Sequence, residues 1–151
     1  MAILAAIGEE EGSHRVIKVA ADLATAYDDT LLVVHVIPEE EVEEHIQAIR
    51  ELPGYSDTGI TDESDRAANF VRRMVEDSLN QDQQDRVKIE GRVGKPEDQI
   101  RSTAEEVDAR YVVIGGRNQS PVGKAMFGST TQSILLDSDR PVLTVRTPDS
   151  S

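Results

Sequence analysis

Apolar residues fall into two rhythms along this chain, and the alternation between them predicts its architecture. The runs 2-AILAAI-7, 31-LLVVHVI-37 and 111-YVVIG-115 are apolar without polar interruption every second residue, as strands buried on both faces of a parallel sheet are. Two more strands are predicted at 86-RVKIEGRV-93 and 141-PVLTV-145. Helical spacing governs the stretches between them. In 13-SHRVIKVAADLATAY-27, Val16, Val19, Ala20, Leu23, Ala24 and Tyr27 recur on one face, with Ser13 or Gly12 as cap and a turn at Asp28 and Asp29. The segment 39-EEEVEEHIQAIR-50 reads as an acidic helix after Pro38 ends the second strand, and 52-LPGYSDTGI-60 reads as a loop. Thr61 caps a helix with Asp62 and Glu63 in its first turn and Phe70, Val71, Met74, Val75 and Leu79 on its apolar face. Helices from Pro96 to Val107 and over 128–137 complete the series.

Five strands alternating with helices predict an α/β fold of Rossmann-like form, an open five-stranded parallel sheet with helices on both faces. Its first unit is a right-handed βαβ crossover. At 151 residues, 38% of them hydrophobic, the expectation is one domain over 1–151.

Charge narrows the partners. A net charge of −13 argues against nucleic acid, whose affinity for proteins comes largely from lysine and arginine neutralising phosphates. Arginine outnumbers lysine 12 to 4 and aromatics make up 3%, a balance that resembles proteins of salt-loving microbes and leads us to expect a halophilic archaeal origin. No cysteine is present, so disulfides and thiolate chemistry are excluded. With no apolar run of about 18 residues and no basic-then-apolar leader, a cytoplasmic protein without membrane contact is expected.

Glycines carry the candidate chemistry. Gly8 follows the first strand, Gly115 and Gly116 end the fourth, and Gly128, Ser129 and Thr130 open a helix. In an open parallel sheet, ligands bind beyond the carboxyl ends of the strands where neighbouring connections diverge, here between strands one and four. A helix start with free amides and added hydroxyls suits a phosphate. Neither GxxxxGK[ST] nor GxGxxG is satisfied, so spacing alone leaves open that these glycines only end a strand and Ser129 only caps a helix.

Other tempting residues carry less. His35 is expected to be a packed or partner-bonded strand residue, and His14 and His45 to be solvated. The run 39-EEEVEE-44 is expected to be a solvated face, because neighbouring helix positions point apart. Arg117 and Lys124 flank the proposed anion site, and loop solubility explains each of them equally well. No serine stands in GxSxG or SxxK, so no catalytic residue is assigned.

Over nearly its whole length the chain resembles the universal stress protein family. That family's nucleotide motif is Gly, two residues, Gly, nine residues, Gly, then Ser or Thr; Gly115 fits its first position, and Gly128 with Ser129 its last pair. The second glycine is Asn118 here, a residue that tolerates positive φ. The stretches 94-GKPEDQI-100 and 140-RPVLTV-145 resemble the family's Gly-x-Pro helix opening and closing strand. The resemblance implies the adenine-nucleotide alpha-hydrolase-like form of the fold and ATP, with Mg²⁺ held mainly by the nucleotide's own oxygens. It would place Ile7, Gly8, Val36 and Ile114 on the adenosine side, with Gly115, Asn118, Gly128, Ser129, Thr130 and Thr131 on the phosphates. Gly8 stands where ATP-binding members usually carry an aspartate, and Glu9, Glu10 and Glu11 follow it. The function implied is a nucleotide-binding, non-enzymatic stress sensor or switch. Its alternatives are the same fold with an empty site working through protein contacts, and a slow ATP hydrolase. A homodimer through 141–145 is also implied.

If the acidic surface is an adaptation to salt, the melting temperature will rise steeply from low salt to molar KCl, where the Debye length falls to about 3 Å and repulsion is screened. A melting temperature flat across that range would remove the salt adaptation.

Overall fold

A computed structural model describes residues 1–8, 12–51, 63–117 and 128–147. The loop expected at 52–60 and the Thr61 cap lie outside the described residues. The elements in chain order are β1 (Ala2–Ala6), α1 (Ser13–Tyr27), β2 (Thr30–Pro38), α2 (Glu39–Arg50), α3 (Glu63–Ser78), α4 (Gln81–Gln84), β3 (Val87–Gly94), α5 (Pro96–Glu106), β4 (Ala109–Arg117), α6 (Ser129–Asp137) and β5 (Val142–Thr147). The strands form one five-stranded sheet in the order β3-β2-β1-β4-β5, and every pairing is parallel. The chain therefore steps outward from β1 to β2 and β3, then returns to the far side of β1 for β4 and β5. The connections diverge between β1 and β4, where the sequence places the ligand crevice.

Alternation along the strands divides the core into two layers. Ile3 and Ala5 of β1, Val33 and Val113 pack under α1 and α3 with Val16, Ile17, Ala20, Val71 and Val75. Leu4, Val34, Val112 and Ile114 face the other way, toward Ile100 and Ala104 of α5 and Ile134 of α6. Ile3, Leu4 and Ala5 are completely withdrawn from solvent, and each fully buried Ile or Leu contributes roughly 1.5–3 kcal/mol.

Helix α3 lies unusually close to the sheet at Gly91, which pairs with His35 across β2 and β3. A β-carbon at Gly91 would stand 2.2 Å from the carbonyl oxygen of Ser64, 2.3 Å from the amide of Ala68 and 2.7 Å from the β-carbon of Ala67. The absent side chain is what lets α3 seat.

The amino end of the sheet is fastened by acids and arginines. Asp28 and Asp108 end α1 and α5 with φ of 55° and 51°, a left-handed conformation that aspartate adopts more readily than most residues. Arg86 bonds Asp28 at 2.8 Å and Arg140 bonds Asp108 at 3.0 Å. Between them Arg110 holds Asp29 at 2.7 Å and lies 4.4 Å from the centre of the Tyr27 ring. The hydrogen bond from Arg110 keeps the Asp29 carboxyl below its ordinary pKa.

Three expectations are corrected. β4 does not stop at its glycines: Gly115 and Gly116 continue the strand, pairing with Val145 and Arg146 of β5. β2 runs one residue beyond the predicted Ile37, with Pro38 as its last residue paired with Gly94, and α2 starts at once. The short α4, absent from the sequence prediction, is set by a capping box in which Asn80 and Gln83 satisfy each other's backbone amides.

Gly91→Ala is predicted to cost about 3 kcal/mol in denaturant unfolding, because backbone atoms rather than flexible side chains meet the new carbon. Gly128→Ala, whose β-carbon would have nothing within 4 Å among the described residues, should stay within about 0.5 kcal/mol of the parent. Equal effects of the two changes would refute this account of α3 packing.

Candidate functional site

Beyond the carboxyl ends of β1 and β4 opens a cavity of about 500 Å³. Its floor is made by strand ends: Ile7 and Gly8 after β1, Val34 and Val36 of β2, Ile114 and Gly115 of β4. Pro96 and Ile100 of α5 form one wall, and Thr130, Thr131 and Ile134 of α6 another. The interior is thus largely apolar with hydroxyls at one side, the distribution expected of a small-molecule site.

Local bonds fix this shape. Ser13 donates its hydroxyl to the carbonyl of Gly8 at 2.8 Å, closing the turn between β1 and α1, where Gly12 takes a φ of 98°. His35 donates from Nδ1 to the carbonyl of Ile7 at 2.9 Å, and its ring stacks obliquely on Phe70 with centroids 4.9 Å apart. This is the partner-bonded strand histidine that the sequence suggests, and it pins the end of β1. Thr131 donates to the carbonyl of Gly115 at 3.1 Å, seating the first turn of α6 on β4.

The start of α6 presents backbone donors of the kind that suit an anion. Gly128 is its cap residue with φ −63° and ψ 164°, and its carbonyl accepts from Gln132 at 3.0 Å. Among the described residues no side chain caps the helix, and the amides of its first turn have no intrahelical acceptor. Gly128 is exposed, and the space its missing side chain would fill is open among the described residues. Among the described residues no contact there requires a glycine.

Of the residues singled out in sequence, Ile7, Gly8, Val36, Ile114, Gly115, Thr130 and Thr131 line this one cavity. Gly128 and Ser129 stand at the adjoining helix start, outside that lining. Asn118, Glu9, Glu10, Glu11 and Lys124 lie outside the described residues, as do the side chains of His45 and Arg117.

Three residues depart from expectation. His14, expected to be solvated, is exposed but also bonded through Nδ1 to the hydroxyl of Ser78 at 2.6 Å. Glu41 belongs to the exposed acidic face of α2 yet lines the cavity, and is the only carboxylate that does so among the described residues. Ser13, read only as a cap, proves to be the clasp of the β1–α1 turn. Among the described residues no cluster of three His, Asp or Glu could hold a metal ion, and no helix is long and apolar enough to cross a membrane.

The model of the universal stress protein family matches residues 1–146. The chain belongs to this family. A universal stress protein of Mycolicibacterium smegmatis is 39% identical over 49 residues, which is 32% of this chain and 38% of that protein. The chain thus spans well under half the length of that relative. Among solved structures, a universal stress protein in complex with cAMP superimposes with a TM-score of 0.62 at 16% identity, covering 98% of each chain. The universal stress protein of Archaeoglobus fulgidus in complex with dAMP gives 0.52 at 22% identity, covering 95% of this chain and 96% of that one. These likenesses show that the fold is shared.

Proposed function

We propose that this universal stress protein binds an adenine nucleotide between β1 and β4 and acts as a sensor or switch in the stress response. The observation that carries this is the pairing of a cavity of about 500 Å³, with an apolar floor, and a helix start that among the described residues has no side-chain cap and a glycine facing open space. Ile7, Gly8, Val36 and Ile114 take the adenosine. Gly115, Asn118, Gly128, Ser129, Thr130 and Thr131 surround the phosphates, with Thr131 offering its amide, since its hydroxyl is engaged by Gly115. Glu41 accepts from the ribose hydroxyls, a task for which Gly8 has no side chain. Relatives with cAMP and dAMP bound support adenine as the base. We take ATP, with Mg²⁺ on its own oxygens, as the physiological ligand and assign no catalytic step. We place the single domain in the cytoplasm of a salt-adapted archaeon, away from nucleic acid and membranes.

A homodimer through β5 completes the proposal. β5 is the edge of the sheet, and its outer side pairs with no strand among the described residues. Unpaired edges template association unless charged or covered. Leu143 is exposed on this strand, as are Leu135 and Leu136 on α6, the helix that precedes it. A two-fold contact would cover the edge and close on itself.

Mass spectrometry of freshly purified, denatured protein should release an adenine nucleotide, and calorimetry with ATP, ADP and AMP plus Mg²⁺ at high salt should show binding. Gly128→Val should leave the fold intact and weaken that binding by about tenfold or more, because its side chain fills the space reserved for phosphate. Neither nucleotide nor heat of binding would leave the alternative of an empty fold acting through protein contacts. Product formation lost in Ser129→Ala would establish the slow hydrolase instead.

Light scattering should give a dimer for the parent and a monomer for Leu143→Lys, which sets an unpaired charge at the seam. Val145 is buried in the core and would unfold the protein if charged, so Leu143 is the informative position. A monomeric parent at tens of micromolar would overturn the dimer.

A further inference from the structure

A second cavity, of about 340 Å³, lies between α3 and the carboxyl end of β2. On α3, Arg66, Asn69, Phe70 and Arg73 stand at i, i+3, i+4 and i+7 and therefore share one face. On β2, His35 and Ile37 are two residues apart and point to the same side of the sheet. All six line the cavity, whose volume falls in the range of about 300–1,000 Å³ typical of small-ligand sites.

Its chemistry is the reverse of the surface around it. The chain carries 29 acidic and 16 basic residues, yet among the described residues no carboxylate lines this cavity, while two guanidiniums and an imidazole do. Arg66 is held in place by Glu63 at 2.6 Å, a glutamate whose side chain is only 8% exposed. Among the described residues no carboxylate comes within ion-pair distance of Arg73, which is exposed at the rim. The base of the cavity is apolar, with the Phe70 ring stacked on His35 and Ile37 beside them. A guanidinium matches the paired oxygens of a phosphate or carboxylate with two parallel hydrogen bonds, and Asn69 adds a neutral donor.

We propose that this cavity binds a small organic oxyanion, a phosphate or carboxylate carried on an apolar body. Arg73 and Arg66 take the oxygens, and Phe70 and Ile37 take the body. The site does not depend on nucleotide binding, since among the described residues His35 alone lines both cavities. His35 does give the two a common wall. The residue that touches this ligand also holds the Ile7 carbonyl at the end of β1.

Phenyl phosphate titrated into the full chain and followed by amide NMR shifts tests the proposal. Saturable shifts should centre on residues 35–37 and 66–73 and persist when AMP is present in excess. Arg73→Glu should weaken binding by about tenfold or more, and Arg73→Gln by less. Inorganic phosphate, lacking the apolar body, should bind more weakly than phenyl phosphate. No saturable shift at millimolar ligand, shifts centred on Gly115 and Ser129, or affinity unchanged in both Arg73 variants would overturn the site. Equal affinity for inorganic phosphate would overturn the role of Phe70 and Ile37. Should circular dichroism show Arg73→Glu unfolded, the affinity of Arg73→Gln decides.

Discussion

Ile3, Leu4 and Ala5 have no contact with water on either face of the sheet, and this double burial of β1 dictates where polar chemistry can stand. A charged or hydroxyl side chain in that strand would need a partner that neither layer of apolar side chains supplies. Polar groups are therefore displaced to the strand ends. At the carboxyl end they appear as backbone carbonyls and amides freed from the ladder, with Ser13, His35 and Thr131 each bonded to one of those carbonyls or its neighbour. At the amino end they appear as the Asp29–Arg110 pair and its tyrosines. The fold thus gives the two ends of one sheet different tasks, with binding at one and fastening at the other.

The close seat of α3 links the two cavities to this plan. Gly91 brings the helix backbone against β3, directly beside its partner His35. Had β3 carried a larger residue there, α3 would stand farther from the sheet and Phe70 would not reach the imidazole. One missing side chain therefore helps to position both the histidine that fixes the floor of the larger cavity and the aromatic base of the smaller one.

Much of this was legible in the sequence where the determinants are local. α1 runs over the predicted 13–27 because its ends are marked by Gly12 and Asp28, both at positive φ. The buried strands announced themselves by uninterrupted apolar runs. β4 was misjudged because glycines weaken a strand only on average, and the pairing that extends it comes from β5, about thirty residues onward. The box at Asn80 and Gln83 is a local signal of α4 that the sequence itself carries. Glu41 was not foreseeable, since its approach to the cavity depends on the angle at which α2 leaves β2. The same holds for Arg66 and Arg73, whose meeting with His35 needs the order β3-β2-β1 and the placement of α3 across it.

The three aspartates at the amino end, each gripping an arginine from a different stretch of the chain, differ sharply in exposure. The side chain of Asp28 is 90% exposed and that of Asp29 only 7%. Dissolved ions weaken an attraction between solvated charges and scarcely touch one shielded by protein. Concentrated electrolyte, while relieving the general repulsion of this acidic chain, would therefore slacken the outer clasp of Arg86 on Asp28 and spare the inner one of Arg110 on Asp29. What is a three-point fastening in dilute buffer becomes, in brine, a pivot about a single buried carboxylate.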